Sequence, residues 1–458
     1  MTTVEYGAAS LDLGLTADLC AFLSRVDFAD LPPAAVHEAR RGVLDWIGCA
    51  LAGSQGETIT KLLAVLGALG GKPVATVLAR DMKLGLLEAP IANGQMGHLL
   101  DFDDTHMDGV ILHTSSPVLA ALFALADARP VDGKTLIAAY VTGFEAGIRA
   151  GKAAPAHHDG GWHLTGTLGT IAAGIACARQ LGLDGEQLTF AAGIAATQAA
   201  GMQQNRGTMC KSFHAGRAAS NGVLAALLAE AGFDSSPEII EGKRGFARIY
   251  SAATDTDALL AGLGEEWLIE KNGYKPYACG VVQHPLIDAM IKLAKDFGIG
   301  AEEIKSVEAK VHPGVITITG VEDPETGLKS KFSLTHSAAV AYLDGNAGIG
   351  QYTDARAVAP DVAALRRKII PVAAEQFRRD EAEASIETVS GARHSVHIDH
   401  ATGTVENPMS DDALEAKFTA NAEPVLGADG ARRVADLVWR LDALDDMREL
   451  TARCGTAG

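Results

Sequence analysis

Apolar residues recur at helical spacing through the first 270 residues of the chain. In the segment 33–46 they fall every three or four positions, at Val36, Ala39, Val43 and Trp46. Further stretches are apolar and rich in alanine and glycine, at 116–126, 166–183, 188–202 and 215–232. These patterns predict buried helices that pack closely through small side chains.

The hydrophobic pattern changes near residue 270. A turn-rich junction at 272–277 is followed by segments in which polar and apolar residues alternate, as they do in β-strands. Strands are predicted at 306–312, 369–372, 386–389 and 393–399. Helices are predicted at 333–343 and 361–368, and again after Asp411. The predicted fold is therefore mainly α: a large all-helical domain formed by residues 1–270 and 411–458, with a smaller α+β domain inserted at 271–410.

The composition of the chain argues against some classes of binding partner. The chain has 458 residues, of which 48% are hydrophobic and 21% charged, and these values exclude wholesale disorder. No apolar run approaches the roughly 20 residues that cross a bilayer, so no membrane partner is expected. The net charge of −18 argues against a nucleic-acid partner, because such proteins neutralise phosphates. A local basic pocket can still attract a small anion.

The cysteines and the first residues bear on cofactors and location. Six cysteines are scattered along the chain without a Cys-x-x-Cys pair. Zinc ribbons and iron–sulfur clusters need such clustering, so reduced thiols are expected and no metal or cofactor is predicted. Residues 1–6 lack the basic and apolar regions of a secretory signal, and a cytoplasmic location is therefore expected.

Histidines and aspartates cluster between residues 98 and 163. This segment holds six of the fourteen histidines, and Asp101, Asp103 and Asp104 fall within four residues. Histidine can take and return a proton near neutral pH, whereas crowded carboxylates raise a proton affinity or bind a cation. No calcium loop or His-Glu-x-x-His motif accompanies them, which disfavours a metal site. An Asp-rich helix end capped by Thr105 is the structural alternative.

A second group of candidate residues is basic. Lys211, His214 and Arg217 open an Ala-rich helix, and the last two share one helical face. Such charges are costly beside a buried helix unless they are paired or receive an anion, so both an anion site and a structural ion pair remain open. Lys275, in the predicted junction between the domains, is a further cation, and clefts between domains commonly bind small ligands.

The order of these motifs resembles the MmgE/PrpD family of 2-methylcitrate dehydratase, cis-aconitate decarboxylase and iminodisuccinate epimerase. The resemblance rests on Asp-Phe-Asp-Asp-Thr at 101–105, Trp-His-Leu-Thr-Gly-Thr at 162–167 and Lys-Ser-Phe-His-Ala-Gly-Arg at 211–217. Further matching segments lie at 45–53, 93–100, 241–246, 275–279 and 284–285. The resemblance implies a helical domain with an inserted α+β lid, a homodimer, and no need for a metal ion or an iron–sulfur cluster.

The resemblance also implies a set of site residues. The expected catalytic residues are Asp101, Thr105, His113, His163 and Lys211. The expected substrate-binding residues are His214, Arg217, Lys275 and Cys279. His98 and His158 are expected to lie outside the acid–base machinery.

The expected chemistry is proton transfer at a carbon next to a carboxylate. A histidine would move the proton, and lysines would stabilise the negative charge that develops. The leading prediction is a cofactor-independent dehydratase that acts on a small hydroxylated di- or tricarboxylate, such as a 2-methylcitrate-like substrate. The alternatives are an epimerase of an iminodisuccinate-like dicarboxylate, a cis-aconitate-type decarboxylase and a carboxylate-binding protein without activity. Cys279, where relatives similar to cis-aconitate decarboxylase have a nearby histidine, argues against that decarboxylation.

Overall fold

The computed structural model describes residues 14–455, and helix dominates this part of the chain. The predicted absence of a secretory signal at residues 1–6 lies outside the described residues, as do the ends of the predicted helical domain at 1–13 and 456–458. The helices are α1 (Leu15–Leu23), α2 (Pro33–Gly53), α3 (Glu57–Leu69), α4 (Glu88–Leu99), α5 (Ser115–Ala128), α6 (Gly133–Lys152), α7 (Leu164–Gln180), α8 (Gly185–Ala196), α9 (Met209–Glu230), α10 (Phe246–Tyr250), α11 (His284–Phe297), α12 (Pro313–Ile318), α13 (Gly327–Ser330), α14 (Leu334–Asp344), α15 (Asp354–Ala357), α16 (Pro360–Arg366), α17 (Asp411–Trp439) and α18 (Arg448–Gly455).

Small residues allow the central helices to pack closely. Helices α4 and α9 meet at Gly94 and Gly216, and a methyl group added at Gly216 would lie 2.1 Å from the backbone oxygen of Ile91. At Gly222 of α9, an added methyl group would lie 2.5 Å from Cβ of Ala173 on α7. Larger side chains would separate these helices, so the predicted packing through alanine and glycine is confirmed.

The strands are short in the first part of the chain and longer after residue 300. They are β1 (Ala75–Thr76), β2 (Lys83–Leu84), β3 (Thr105–His106), β4 (Asn272–Gly273), β5 (Ile304–Val311), β6 (Ile369–Ala373), β7 (Ala382–Thr388) and β8 (Arg393–Ile398). The last four form one sheet in the order β6-β5-β7-β8, in which β5 pairs with β6 in parallel and the other pairs are antiparallel. Helices α11 and α14 pack with this sheet, and we call α11–α16 with β5–β8 the α+β part.

The described chain has two hydrophobic cores. One lies among α1–α9, α17 and α18, and the other lies between the sheet and the helices α11, α14 and α16. Helix α17 returns to pack against α2. The predicted fold class, mainly α with a smaller α+β region, is confirmed. The exact domain boundaries at residues 271 and 410 stay a prediction. Within residues 14–455, none of the helices combines the length and the apolar character that a membrane crossing requires.

Two local features differ from the sequence prediction. The helix predicted at 188–202 ends at Ala196, and it cannot extend to residue 202, since Gly201 has a φ of +143°, a conformation that a helix cannot contain. The short pairs β1–β2 and β3–β4 were not predicted, since two-residue strands have no readable alternation, and β3–β4 bears on the predicted site residues. Its register places Thr105 opposite Gly273 and ties the aspartate-rich segment to the junction before Lys275.

Candidate active site

Asp101 anchors two ammonium groups. It lies two residues after α4 and has a left-handed backbone with a φ of +52°, which aspartate tolerates better than most residues. Its Oδ1 accepts hydrogen bonds from Nζ of Lys211 at 2.9 Å and from Nζ of Lys275 at 3.0 Å. Burial by itself raises the pKa of this carboxyl group, but the two ammonium groups hold the pKa well below its ordinary value. Asp101 is therefore a carboxylate.

Three elements bring these residues together. The start of α9 is capped by Thr208, whose hydroxyl oxygen accepts from the N–H of Cys210 at 3.2 Å and places Lys211 in the first turn. Because α9 packs on α4, Lys211 reaches the end of α4, where Asp101 lies. Lys275 follows β4, and its Nζ also donates to the backbone oxygen of Asp101 at 2.9 Å.

His113 is held through Nδ1, and none of the residues 14–455 hydrogen-bonds to its Nε2. Its Nδ1 lies 2.9 Å from the backbone oxygen of Asp104 and 3.1 Å from Oγ1 of Thr105. A carbonyl oxygen only accepts, so this network assigns the proton to Nδ1 and the lone pair to Nε2. Burial lowers the pKa of His113 well below its ordinary value, despite the nearby carboxylate of Asp103. His113 is therefore a neutral imidazole that can accept a proton at Nε2.

His98 lies between the two predicted catalytic histidines. Its ring centroid is 4.6 Å from that of His113 and 5.3 Å from that of His163. Its Nδ1 donates to Asp103 at 2.9 Å, and its buried Nε2 has no hydrogen-bond partner within residues 14–455. Asp103 also accepts from the hydroxyl of Ser116 at 2.7 Å. The expectation that His98 lies apart from the acid–base residues therefore does not fit this arrangement.

His163 and His214 form a hydrogen-bonded pair. Their Nδ1 atoms are 2.9 Å apart, so one ring donates and the other accepts. Burial lowers the pKa of both rings, and that of His214 falls to about 4. His163 precedes α7, and His214 lies one turn after Lys211 on α9. The pair can pass a proton between its two members.

A second layer of charges supports the aspartate-rich segment. Asp45 of α2 accepts from the backbone N–H of Asp104 at 2.9 Å and from Nζ of Lys417 at 2.6 Å. Lys417, from α17, also donates to the backbone oxygen of Phe102 at 2.7 Å. Burial and the neighbouring Asp45 raise the pKa of Asp104 to about 8, so Asp104 is mainly protonated at neutral pH.

A narrow cavity adjoins the Asp101 cluster. Its volume is about 20 Å³, and it is lined by Asp101, Lys211, Lys331 and Phe332 among others. Lys331, which follows α13, is buried and belongs to the α+β part. The cavity thus lies between the helical core and the α+β part. A larger cleft of about 570 Å³, lined in part by Met107 and His284, lies between the same two regions.

Comparison with known proteins identifies the family. The model of the MmgE/PrpD N-terminal domain matches residues 17–258, and the model of the MmgE/PrpD C-terminal domain matches residues 277–443. The chain belongs to the MmgE/PrpD family. The resemblance drawn from the sequence motifs is therefore confirmed.

Relatives of this MmgE/PrpD chain match it along nearly its full length. A cis-aconitate decarboxylase from Aspergillus terreus is 28% identical over an alignment of 467 positions, which covers 95% of each chain. The cis-aconitate decarboxylase of Homo sapiens is 25% identical over 435 residues, which span 91% of this chain and 89% of the human one. That of Mus musculus is 26% identical over 435 residues, with 91% and 88% covered.

Most of the predicted site residues lie together in this MmgE/PrpD structure. Contacts join Lys211 and Lys275 to Asp101, and they join Thr105, His113, His163 and His214 to one another through His98. The two groups are neighbours, because the charges of Lys211 and Lys275 help to lower the pKa of His113. Thr105 does not cap a helix, since it belongs to β3. Arg217 is exposed, and no hydrogen bond or ion pair of residues 14–455 links it to this set.

Cys279 precedes α11 and lies near Lys331 of the α+β part, whose Nζ donates to the backbone oxygen of the adjacent Ala278 at 2.5 Å. Cys279 is fully buried, and burial raises the pKa of its thiol to about 11, so it is neutral. Sequence reasoning missed Lys331, because a single lysine outside any recognised motif carries no signal of its own. It also treated His98 as peripheral, although this residue is part of the same histidine-rich segment as His113.

The residues of this cluster could in principle ligate a metal. His98, Asp103 and His113 offer ligand atoms within 4.8 Å of one another. However, Nδ1 of His98 already donates to Asp103, and Nδ1 of His113 already donates to the backbone oxygen of Asp104. These hydrogen bonds engage Nδ1 of both rings, and Asp103 accepts from His98 and Ser116. The arrangement suits proton transfer between neutral imidazoles and a carbon acid.

Proposed function

We propose that this protein is a lyase that acts on a small di- or tricarboxylate by proton transfer at a carbon next to a carboxylate. The observation that carries the proposal is that Nε2 of His113 has no hydrogen-bond partner among residues 14–455 and lies near the two ammonium groups on Asp101, whose charges act on its ring. A base and cations that stabilise an enolate-like anion are the two requirements of this chemistry.

In the proposed mechanism, Lys211 and Lys275 bind the substrate carboxylate beside the reacting carbon. Each ammonium group has three donors, and Asp101 uses only some of them. In dehydration or epimerisation, Nε2 of His113 takes the proton from the carbon, and the negative charge moves onto the carboxylate oxygens. The ammonium groups stabilise that charge more strongly than the charge of the ground state, and so lower the barrier.

The bond that breaks decides the product. Decarboxylation is the first candidate, because the relatives named above are cis-aconitate decarboxylases. In this reaction the C–C bond to one carboxylate breaks, carbon dioxide leaves in place of the proton, and the carbon next to a remaining carboxylate takes up one proton from the histidine cluster. Dehydration is the second candidate, and the pair of His163 and His214 favours it. A hydrogen-bonded imidazole pair beside the base can deliver a proton to a departing hydroxyl group. Epimerisation shares the first step and remains an outcome of the test below.

Substrate entry requires the site to open. The cavity beside Asp101 has a volume of about 20 Å³, whereas ligand pockets typically measure ~300–1,000 Å³. Lys331 and Phe332 line this cavity from the α+β part. We therefore propose that the α+β part acts as a lid that moves away from α9 when the substrate enters.

A panel of carboxylates tests the proposed function. The purified protein is incubated with cis-aconitate, 2-methylcitrate, citrate and iminodisuccinate, and the products are followed by NMR. Release of carbon dioxide supports decarboxylation, loss of water supports dehydration, and inversion without loss of mass supports epimerisation. Binding of these carboxylates without any turnover would contradict a lyase and favour a carboxylate-binding protein.

We also propose that the protein is a homodimer built on its helical part. The apolar side chains of Val65 and Leu69 on α3 are 60% and 65% exposed, and an interface would cover such groups. Sedimentation at micromolar concentration should show a dimer. A stable monomer under these conditions contradicts the proposal.

A further inference from the structure

Lys331 is held in place by contacts with three segments. The backbone oxygen of Lys331 accepts from Nε2 of Gln283 at 2.6 Å. Its Nζ donates to the backbone oxygens of Leu100 at 2.6 Å and of Ala278 at 2.5 Å. Leu100 immediately precedes Asp101, and Ala278 follows Lys275 by three residues. The ammonium group of Lys331 therefore joins the two chain segments that carry the Asp101 cluster.

One donor of Lys331 is left for a ligand. An ammonium group has three N–H donors. Lys331 uses two of them in its hydrogen bonds to the backbone oxygens of Leu100 and Ala278. The described residues provide no further hydrogen-bond partner for Nζ, although the ring of Tyr352 lies 4.9 Å away. Lys331 lines the same cavity as Asp101 and Lys211. Its third donor is therefore available in the region where the proposed substrate binds.

The charges around this cavity are unbalanced. Among the residues that line it, Lys211 and Lys331 are cationic and Asp101 is the one carboxylate, to which Lys275 is also paired, and the nearby Cys279 is neutral. Excess buried charge is costly unless it is paired. Burial lowers the pKa of Lys331 to about 8, even though Asp101 favours its charged form. A ligand with more than one negative charge would restore the balance.

We propose that Lys331 binds a second carboxylate of the substrate and so selects di- and tricarboxylates over monocarboxylates. This assignment rests on the proposed function of the site. Lys211 and Lys275 share Oδ1 of Asp101 and bind the carboxylate next to the reacting carbon. Lys331 comes from the α+β part, so a second carboxylate would also draw the lid onto the helical core.

Binding of succinate and butyrate tests this role. Both have four carbons, but butyrate carries only one carboxylate. The wild-type protein should prefer succinate in titration calorimetry, and Lys331→Met should weaken succinate binding by roughly ten-fold or more while butyrate binding stays unchanged. Lys331→Arg should keep much of the preference. Lys329→Met is the matched control, since Lys329 is exposed and pairs with Glu325 at 3.2 Å.

Proton uptake separates binding from a structural role. An anion beside Lys331 should raise its pKa, so succinate binding at pH 8 should take up protons in the wild-type protein. Lys331→Met and Lys331→Arg should take up fewer, because neither side chain titrates in this range. The charged or titratable groups that face Lys331 are Asp101, Lys211, Lys275, Cys279 and Tyr352. They are retained in all variants.

Each outcome decides a separate point. If the wild-type protein binds neither succinate nor butyrate, and also binds none of the carboxylates in the panel, the proposed function fails and this assignment fails with it. If wild type prefers succinate and Lys331→Met keeps that preference, only the role of Lys331 is overturned. Circular dichroism shows whether Lys331→Met is folded. If it is not, proton uptake is compared between wild type and Lys331→Arg, and equal uptake overturns the role of Lys331.

Discussion

Nδ1 of His113 lies 2.9 Å from the backbone oxygen of Asp104, and this hydrogen bond leaves Nε2 as the basic nitrogen. Because a backbone oxygen does not titrate, it accepts from Nδ1 over a wide pH range, and the tautomer of His113 is therefore fixed. Thr105, 3.1 Å from the same Nδ1, limits rotation of the ring. The base of the proposed reaction is thus oriented by the segment that also carries Asp101.

Replacement of His113 should affect turnover more than binding. His113→Gln removes the proton acceptor, and general acid–base catalysis typically contributes ~10²–10⁴-fold, so kcat should fall within that range while KM changes little. His163→Gln should also lower kcat, since it breaks the pair with His214. Steady-state kinetics on the substrate found in the panel measures both effects.

A distant histidine provides the control. His37 hydrogen-bonds to Asp411 at 3.2 Å and stacks on Trp439, so His37→Gln should leave kcat unchanged. Circular dichroism should show that all three variants are folded. If His113→Gln and His163→Gln both keep near wild-type turnover, the acid–base assignment is wrong.

Two basic residues of α9 should behave differently. Lys211→Met removes a charged donor that binds Asp101, so kcat/KM should fall by roughly 10- to 100-fold, with a clear rise in KM. Arg217→Met should have little effect, because Arg217 is exposed and lacks a contact with the cluster among residues 14–455. An equal loss in both variants would show that the substrate reaches Arg217.

The stability of the protein should depend on pH through Asp104. The pKa of this carboxyl group is about 8 in the folded protein and roughly 3.9 in an unfolded chain. The folded state therefore binds more protons between these values, and the contribution of Asp104 to stability is lost as the pH rises toward 8. Asp104→Asn does not titrate, so the variant should gain stability relative to wild type between pH 5 and pH 8.

Denaturant unfolding at several pH values measures this difference. Other buried groups, such as His98 and His113, also titrate, but they are present in both proteins and largely cancel in the comparison. A difference between wild type and Asp104→Asn that does not change with pH would show that Asp104 is ionised in the folded protein.

Removal of metal ions should leave activity unchanged. Hydrogen bonds engage Nδ1 of His98 and of His113 and the carboxylate of Asp103, and the proposed reaction uses no ion at this cluster. Activity is measured before and after treatment with EDTA. If EDTA abolishes activity and one added divalent ion restores it, the prediction is wrong and these three residues are metal ligands.

The elements of the fold could be predicted from periodicity, but the ionisation states of the site could not. Asp101, Asp103 and Asp104 are near neighbours in sequence, yet the pKa values of the first two are lowered and that of the third is raised. The difference arises from partners in other segments. Asp101 meets Lys275, which is 174 positions away, and Asp104 lies beside Asp45.

Contacts between distant segments also explain why the sequence prediction was wrong about Arg217 and missed Lys331. His214 and Arg217 share a helical face, but the cluster reaches only the first turns of α9, so Arg217 stays exposed. Lys331 enters the cluster only because α13 packs against the cavity beside Asp101. The spacing of residues along the chain describes one helix or strand at a time. It does not show which side chains of separate elements come into contact.

Hydrogen exchange at the reacting carbon tests the central claim most directly. The substrate is incubated in deuterated water with wild type and with His113→Gln, and the reaction is followed by NMR to equilibrium. The account predicts that wild type places deuterium at the carbon next to a carboxylate, in the product or in the remaining substrate, and that His113→Gln slows this exchange by the same factor as turnover. Product formation by wild type without deuterium at that carbon in either pool would contradict the account.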